Sequence, residues 1–193
     1  MSERRVAPVL VSVLAAILVL GGLLAVPVLL GDGDSSNEAG SAEANLAAVQ
    51  TFELGPPQHV AGRIAYAQSP PVGGDHNRVW LACGRHRKPV RNEFAVHNLE
   101  HGGVWITHDP QLSPADVSLL AESLPADGIM SAYPDLGSPA VVTVWGVQLK
   151  LEGADDERLA LFLAEYGDGG TAPEAEASCD GGIGNPVTPG LEV

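Results

Sequence analysis

Six histidines, at positions 59, 76, 86, 97, 101 and 108, fall within a 50-residue stretch of this 193-residue chain. Imidazole is the commonest metal ligand in proteins and binds in its neutral form. His97 and His101 stand four residues apart. On a helix that spacing puts both rings on one face, with Cβ atoms about 6 Å apart, near enough to share an ion. His76 follows the Gly73-Gly74-Asp75 turn, and His59 lies upstream of it. His59, His76, His97 and His101 are therefore the candidate ligands for a divalent transition metal, copper or zinc. The segment His97-Asn98-Leu99-Glu100-His101 also spells H-x-x-E-H. In one class of zinc peptidases that glutamate is the general base for a zinc-bound water. The same residues have a purely structural reading, in which the histidines, Asn98 and Glu100 form a hydrogen-bond network that pins loops. Trp80, Trp105 and Trp145 read as core residues, and so does Met130, whose thioether would favour copper if it lay near the imidazoles.

The elements that must position these side chains are short. Residues 58–66 could hold a strand, and residues 69–76, with two prolines and two glycines, must be loop. Residues 92–101 fit a short helix stopped by Gly102-Gly103, with a strand as the alternative. Residues 104–107 are β-branched and aromatic enough for a strand. Ser113-Pro114 opens a helix as N-cap and first-turn proline, with Val117, Leu120 and Leu124 at helical spacing. Residues 129–133, 140–145 and 147–151 read as strands, and residues 155–166 as an amphipathic helix carrying Leu159, Leu161, Phe162 and Leu163. The fold class is thus α+β: a loop-rich, histidine-containing lobe followed by a β-α-β-β-α layer. Its helices are expected on one face of a small, mostly antiparallel sheet.

Ahead of this domain, residues 6–30 carry no charged side chain. As a helix they would extend about 37 Å, enough to cross a hydrocarbon core of about 30 Å. Arg4 and Arg5 precede the run, and Asp32 and Asp34 follow it. The positive-inside rule then leaves residues 1–5 as a cytoplasmic stub and exports the rest. A cleaved signal peptide is the alternative. Its apolar region would be about 7–15 residues long and end in a small-x-small site, whereas this run is longer and has no Ala-x-Ala at its end. Residues 31–50 read as a flexible acidic stalk, residues 51–184 as the extracytoplasmic domain, and residues 185–193 as a disordered tail. The expected localisation is the cell membrane, single-pass, with the C-terminal domain outside.

The net charge is −14. With Arg4, Arg5 and Glu3 set aside, 8 basic and 23 acidic side chains remain, a net −15 for the exported part. Such a surface repels nucleic acid, so no nucleic-acid partner is expected. The membrane itself, and a protein of the cell envelope, are the partners the layout allows. Two cysteines, Cys83 and Cys179, are too far apart for a C-x-x-C pair and read as one structural disulfide. No G-x-S-x-G elbow and no phosphate loop is present.

Several segments together carry a family resemblance. They are His59-Val60, residues 69–76 (SPPVGGDH), Cys83-Gly84, residues 96–102 (VHNLEHG), residues 133–136 (YPDL) running to Ser138-Pro139, Trp145-Gly146, and residues 172–174 (APE) before Cys179. Over residues 52–184 the chain resembles the domain of unknown function 3105, a family mainly of actinobacteria whose members tend to carry an N-terminal membrane anchor. The resemblance implies no activity. It does imply a sorting of the histidines: His59, His76, His97 and His101 match histidine positions of the motif, whereas His86 and His108 stand where an aromatic residue, often tyrosine, is expected. Three functions stay open. The first is an extracytoplasmic metal-binding domain. The second is a metal-free structural or interaction module of the envelope. The third is a metal-dependent hydrolase with Glu100 as base.

Overall fold

Trp105, Ile106, Thr107 and His108 are all buried. Successive side chains of a strand point to opposite faces, so a strand buried at every position has both faces covered. The computed structural model, which describes residues 45–175 and 179–184, shows what covers them.

Nine elements are present among the described residues: β1 (Gln50–Thr51), β2 (Gly84–His86), α1 (Asn92–Glu100), β3 (Trp105–His108), α2 (Pro114–Glu122), β4 (Ile129–Ala132), β5 (Ala140–Val144), β6 (Val147–Leu151) and α3 (Arg158–Tyr166). The strands form one six-stranded sheet in the order β1-β6-β5-β3-β4-β2. Three ladders are antiparallel, and β4 pairs in parallel with both β3 and β2. On one face, Ile106, Met130, Val142 and Leu149 pack with Val117 and Leu120 of α2 and Leu159 and Phe162 of α3. On the other, Trp105 and Ile129 pack with Phe94, Ala95, Val96 and Leu99 of α1.

The helices therefore cover both faces, which corrects the expectation of one. The physical reason is the alternation itself: Trp105 and Ile129 point away from Ile106 and Met130, and each pair needs its own cover. The layer after α1 also has one strand more than β-α-β-β-α. Its order is β3-α2-β4-β5-β6-α3, with the strands read at residues 140–145 and 147–151 both present and joined by a two-residue turn at Trp145-Gly146. The mixed α+β class stands, as does the loop-rich lobe: residues 58–66 form no strand, only an isolated bridge between His59 and His76. The sheet begins ahead of residue 51. Gln50 pairs with Gln148, and Leu46 and Val49 rest against the core. Residues 1–44 and 185–193, and with them the expected membrane span and tail, lie outside the described residues. Among the described residues no helix is long and apolar enough to cross a membrane.

Helix α1 positions most of the lobe. It is buried from Glu93 to Glu100, and its polar side chains reach backbone groups of the loops around it. Glu93 accepts the Ile64 N–H at 3.0 Å and the Arg91 Nε–H at 3.3 Å. Asn98 grips Leu81 with both ends of its amide, accepting the Leu81 N–H and donating to the Leu81 carbonyl, each at 2.8 Å. The helix stops in a Schellman arrangement. Gly102 donates to the Leu99 carbonyl and Gly103 to the Asn98 carbonyl, with Gly102 at φ +84°, a conformation favoured for glycine. The disulfide Cys83–Cys179 joins residues 96 apart and ties the end of the described chain to this lobe. Beside it, Ile183 exchanges backbone hydrogen bonds with Trp80 and Ala82.

The Asn98 clamp gives a first test. Asn98→Ala strands the Leu81 N–H and C=O in a buried place. The expected loss of stability is about 2–4 kcal/mol, since each unmet buried group costs about 1–3 kcal/mol. A urea-unfolding midpoint within error of wild type would show that the clamp is not needed.

Candidate metal centre

Two carbonyl groups orient the buried imidazoles. The Nδ1–H of His97 donates to the Asn77 carbonyl at 2.7 Å, and the Nδ1–H of His76 donates to the Gly74 carbonyl at 2.9 Å. A carbonyl oxygen only accepts, so each Nδ1 must carry the proton. In the neutral ring the lone pair then falls on Nε2, the tautomer of a histidine held ready for a metal. The bend that delivers His76 depends on Gly73, at φ +145°. A Cβ there would come within 2.4 Å of Leu54 Cδ1 and 3.1 Å of the Trp145 ring. The returning chain bridges His59 to His76, bringing the third ring alongside.

The rings of His59, His76 and His97 form a triangle with centroids 4.8, 4.9 and 4.8 Å apart. Glu100, one turn on from His97, directs Oε2 to the same place. It lies 2.8 Å from His76 Nε2, 3.7 Å from His59 Nε2 and 4.0 Å from His97 Nε2. One ligand atom from each of these four residues lies within 4.8 Å of the other three. A tetrahedral zinc ion with bonds of about 2.0–2.1 Å sets its ligand atoms about 3.3 Å apart. The spacings around Glu100 bracket that value. His76 Nε2 and Glu100 Oε2 are both buried and, despite their separation, do not meet in hydrogen-bonding geometry. A lone pair facing a carboxylate oxygen in a buried place is costly unless a proton or a metal cation lies between them.

Burial holds the His97 imidazolium down, to a pKa of about 3, helped by the neighbouring His101, His76 and His59 and opposed by the Asn77 carbonyl. His97 is thus neutral, the ligating form, throughout the physiological range. The sign for stability follows. The unfolded chain takes up a proton on this ring below about pH 6.5 and the folded chain does not. Metal-free protein should therefore lose stability as pH falls from about 6.5 towards 3, with a limiting slope of about 1.4 kcal/mol per pH unit from this residue. Urea midpoints in chelator at several pH values test this. His97→Gln should flatten the fall, and an unchanged slope in that variant would contradict the assignment.

His101 is not a fourth member of the triangle. Its ring packs 4.4 Å from that of His97, and its Nε2 lies 3.9 Å from Glu174 Oε2. His86 and His108 lie elsewhere, bonded to the Ala82 carbonyl and the Asp109 carbonyl respectively, each at 2.9 Å. Glu100 joins the cluster as a group that could hold an ion, where its sequence context had suggested a base. The available signal was its three-residue spacing from His97. Of the tryptophans expected in the core, Trp105 and Trp145 are buried there. Trp80 is only half-buried and packs against the rings of His97 and His101, at 5.2 and 5.3 Å. Met130 lies in the core on the opposite face of the sheet from α1. A cavity of about 190 Å³ lined by His59, Val60, Ala61, Asn77 and Arg78 opens at the exposed edge of the triangle.

The family described as "Protein of unknown function (DUF3105)" matches residues 59–181, which include every member of this cluster. Comparison with curated proteins and with solved structures gives no match.

Proposed function

The chain belongs to the DUF3105 family, and from that premise we propose that its domain is a membrane-anchored, extracytoplasmic binder of zinc(II), held by His59, His76, His97 and Glu100. The observation that carries this reading is the convergence of three imidazole nitrogens on one carboxylate oxygen, with His76 Nε2 and Glu100 Oε2 buried and unpartnered. Loop pinning explains the Nδ1 bonds of His76 and His97. It leaves the buried His76 Nε2 and Glu100 Oε2 without a hydrogen bond.

Three nitrogens and one oxygen, with no sulfur, make a poor site for copper(I), and the spacings around Glu100, which bracket the tetrahedral value, fit zinc. Both cysteines are bonded to each other, and Met130 lies across the sheet. Four protein ligands around one ion make a closed site, the pattern of binding and structural centres rather than of catalytic ones. A Glu100 that ligates is not free to act as a base, so binding is preferred to hydrolysis. Elemental analysis of the purified full chain tests the proposal. At least one zinc per chain is expected after dialysis against metal-free buffer, and none after zinc loading would refute it.

The uncharged run at residues 6–30, with Arg4 and Arg5 before it, supports the anchor and its direction. The disulfide supports an oxidising compartment for the domain. A reporter that works only outside the membrane, fused after Val193, should be active. Activity of a cytoplasm-only reporter at that position would contradict the topology.

A further inference from the structure

The carboxylate that closes the three-imidazole cluster also faces a second group. Glu100, His101 and Glu174 offer ligand atoms within 4.8 Å of one another. The His101 side chain is 10% exposed, and its Nδ1 is buried without a hydrogen-bond partner. Glu100, which belongs to both groups, is 7% exposed, and its Oε2 is buried without a hydrogen bond. The segment that brings Glu174 here is fixed by backbone contacts. The Glu174 N–H donates to the Glu100 carbonyl at 3.0 Å. A Cβ on Gly102 would lie 3.2 Å from the Cα atoms of both Gly169 and Ala175, so chain is laid directly on the end of α1. That end carries the negative pole of the helix, which favours a cation.

We propose that Glu100 is the bridging carboxylate of a two-metal centre. The first ion sits among His59, His76, His97 and Glu100. The second sits among Glu100, His101 and Glu174, with water completing its coordination. This rests on the zinc reading of the first site. Carboxylate-bridged ions typically lie about 3.5–4 Å apart, and the rings of His97 and His101, one for each ion, are packed side by side. The two ions differ in setting. The first has three nitrogen donors and a mostly buried surround. The second has one nitrogen and two carboxylates, and Glu174 is 58% exposed. The second ion is therefore the weaker and more exchangeable one, and its solvent side is open to water or a small oxyanion. Two divalent ions against two carboxylates and neutral imidazoles leave the centre positive, which favours an anionic ligand in that opening.

Zinc titration of the purified full chain, with bound metal counted after each addition, tests this. Wild type should bind two ions per chain in two steps, the first at least 10-fold tighter. Glu174→Gln should bind one, with the tight step changed less than about 3-fold. His59→Ala should weaken the tight step instead. One ion in wild type, or two still bound in Glu174→Gln, overturns the second site and leaves the first standing. No ion at all overturns both.

Discussion

Zinc(II) binding by the His97→Ala chain should be weaker than wild type by on the order of 100-fold or more, a loss of at least about 2.7 kcal/mol. His97 supplies one nitrogen to the cluster and carries its orienting bond to the Asn77 carbonyl, so the substitution removes a ligand and loosens a loop together. The second effect alone would cost stability, since losing a hydrogen bond costs about 0.5–1.5 kcal/mol. His59→Ala separates the two. That side chain is 46% exposed and reaches Glu100 only at 3.7 Å, without a hydrogen bond among the described residues. Its removal should weaken zinc binding by about 10-fold or more while the metal-free chain melts as wild type does. His86→Ala serves as the control, because its Nε2 is already bonded to the Ala82 carbonyl. Equal zinc affinity in wild type and His59→Ala would show that this ring is not a ligand.

Removal of the disulfide should have the largest effect on stability. Cys83 and Cys179 are 96 residues apart, and closing a loop of that size restricts the unfolded chain strongly. Cys179→Ser is expected to lower stability by about 2–5 kcal/mol. The loss should reach the metal centre as well. The bond holds the backbone exchange between Ile183 and residues 80–82, and Trp80 in turn packs on His97 and His101. Unfolding midpoints of wild type and Cys179→Ser under oxidising conditions decide the matter. A difference below about 0.5 kcal/mol would show the bridge to be energetically idle.

Local features of the fold were legible in the sequence. Ser113 caps α2, accepting the Asp116 N–H at 3.1 Å with Pro114 at the first helical position, as the motif indicates. The double glycine stops α1 where expected. The family resemblance and the pairing of the two cysteines were likewise readable before any coordinates. The cover on the second face of the sheet was less visible. Short apolar runs such as residues 104–107 look alike whether one face is buried or both. Within the histidine cluster, helical spacing links His97 to both Glu100 and His101, because three and four residues are equally one turn away. What separates them is long-range. The loop through Gly73 and Gly74 returns His76 to the Glu100 side, and the segment at Glu174 meets His101 on the other. No local pattern encodes those two approaches. Trp80 illustrates the same limit, since its type suggests core and only its neighbours reveal a wall of the site.

The most direct measurement is calorimetric titration of the metal-free full chain with zinc(II) near neutral pH. The expected result is saturable binding with a dissociation constant well below about 100 μM, a level that a strongly acidic surface could reach without any built site. Binding no tighter than that would contradict a metal centre at His59, His76, His97 and Glu100, and would leave these residues as a network that only pins loops.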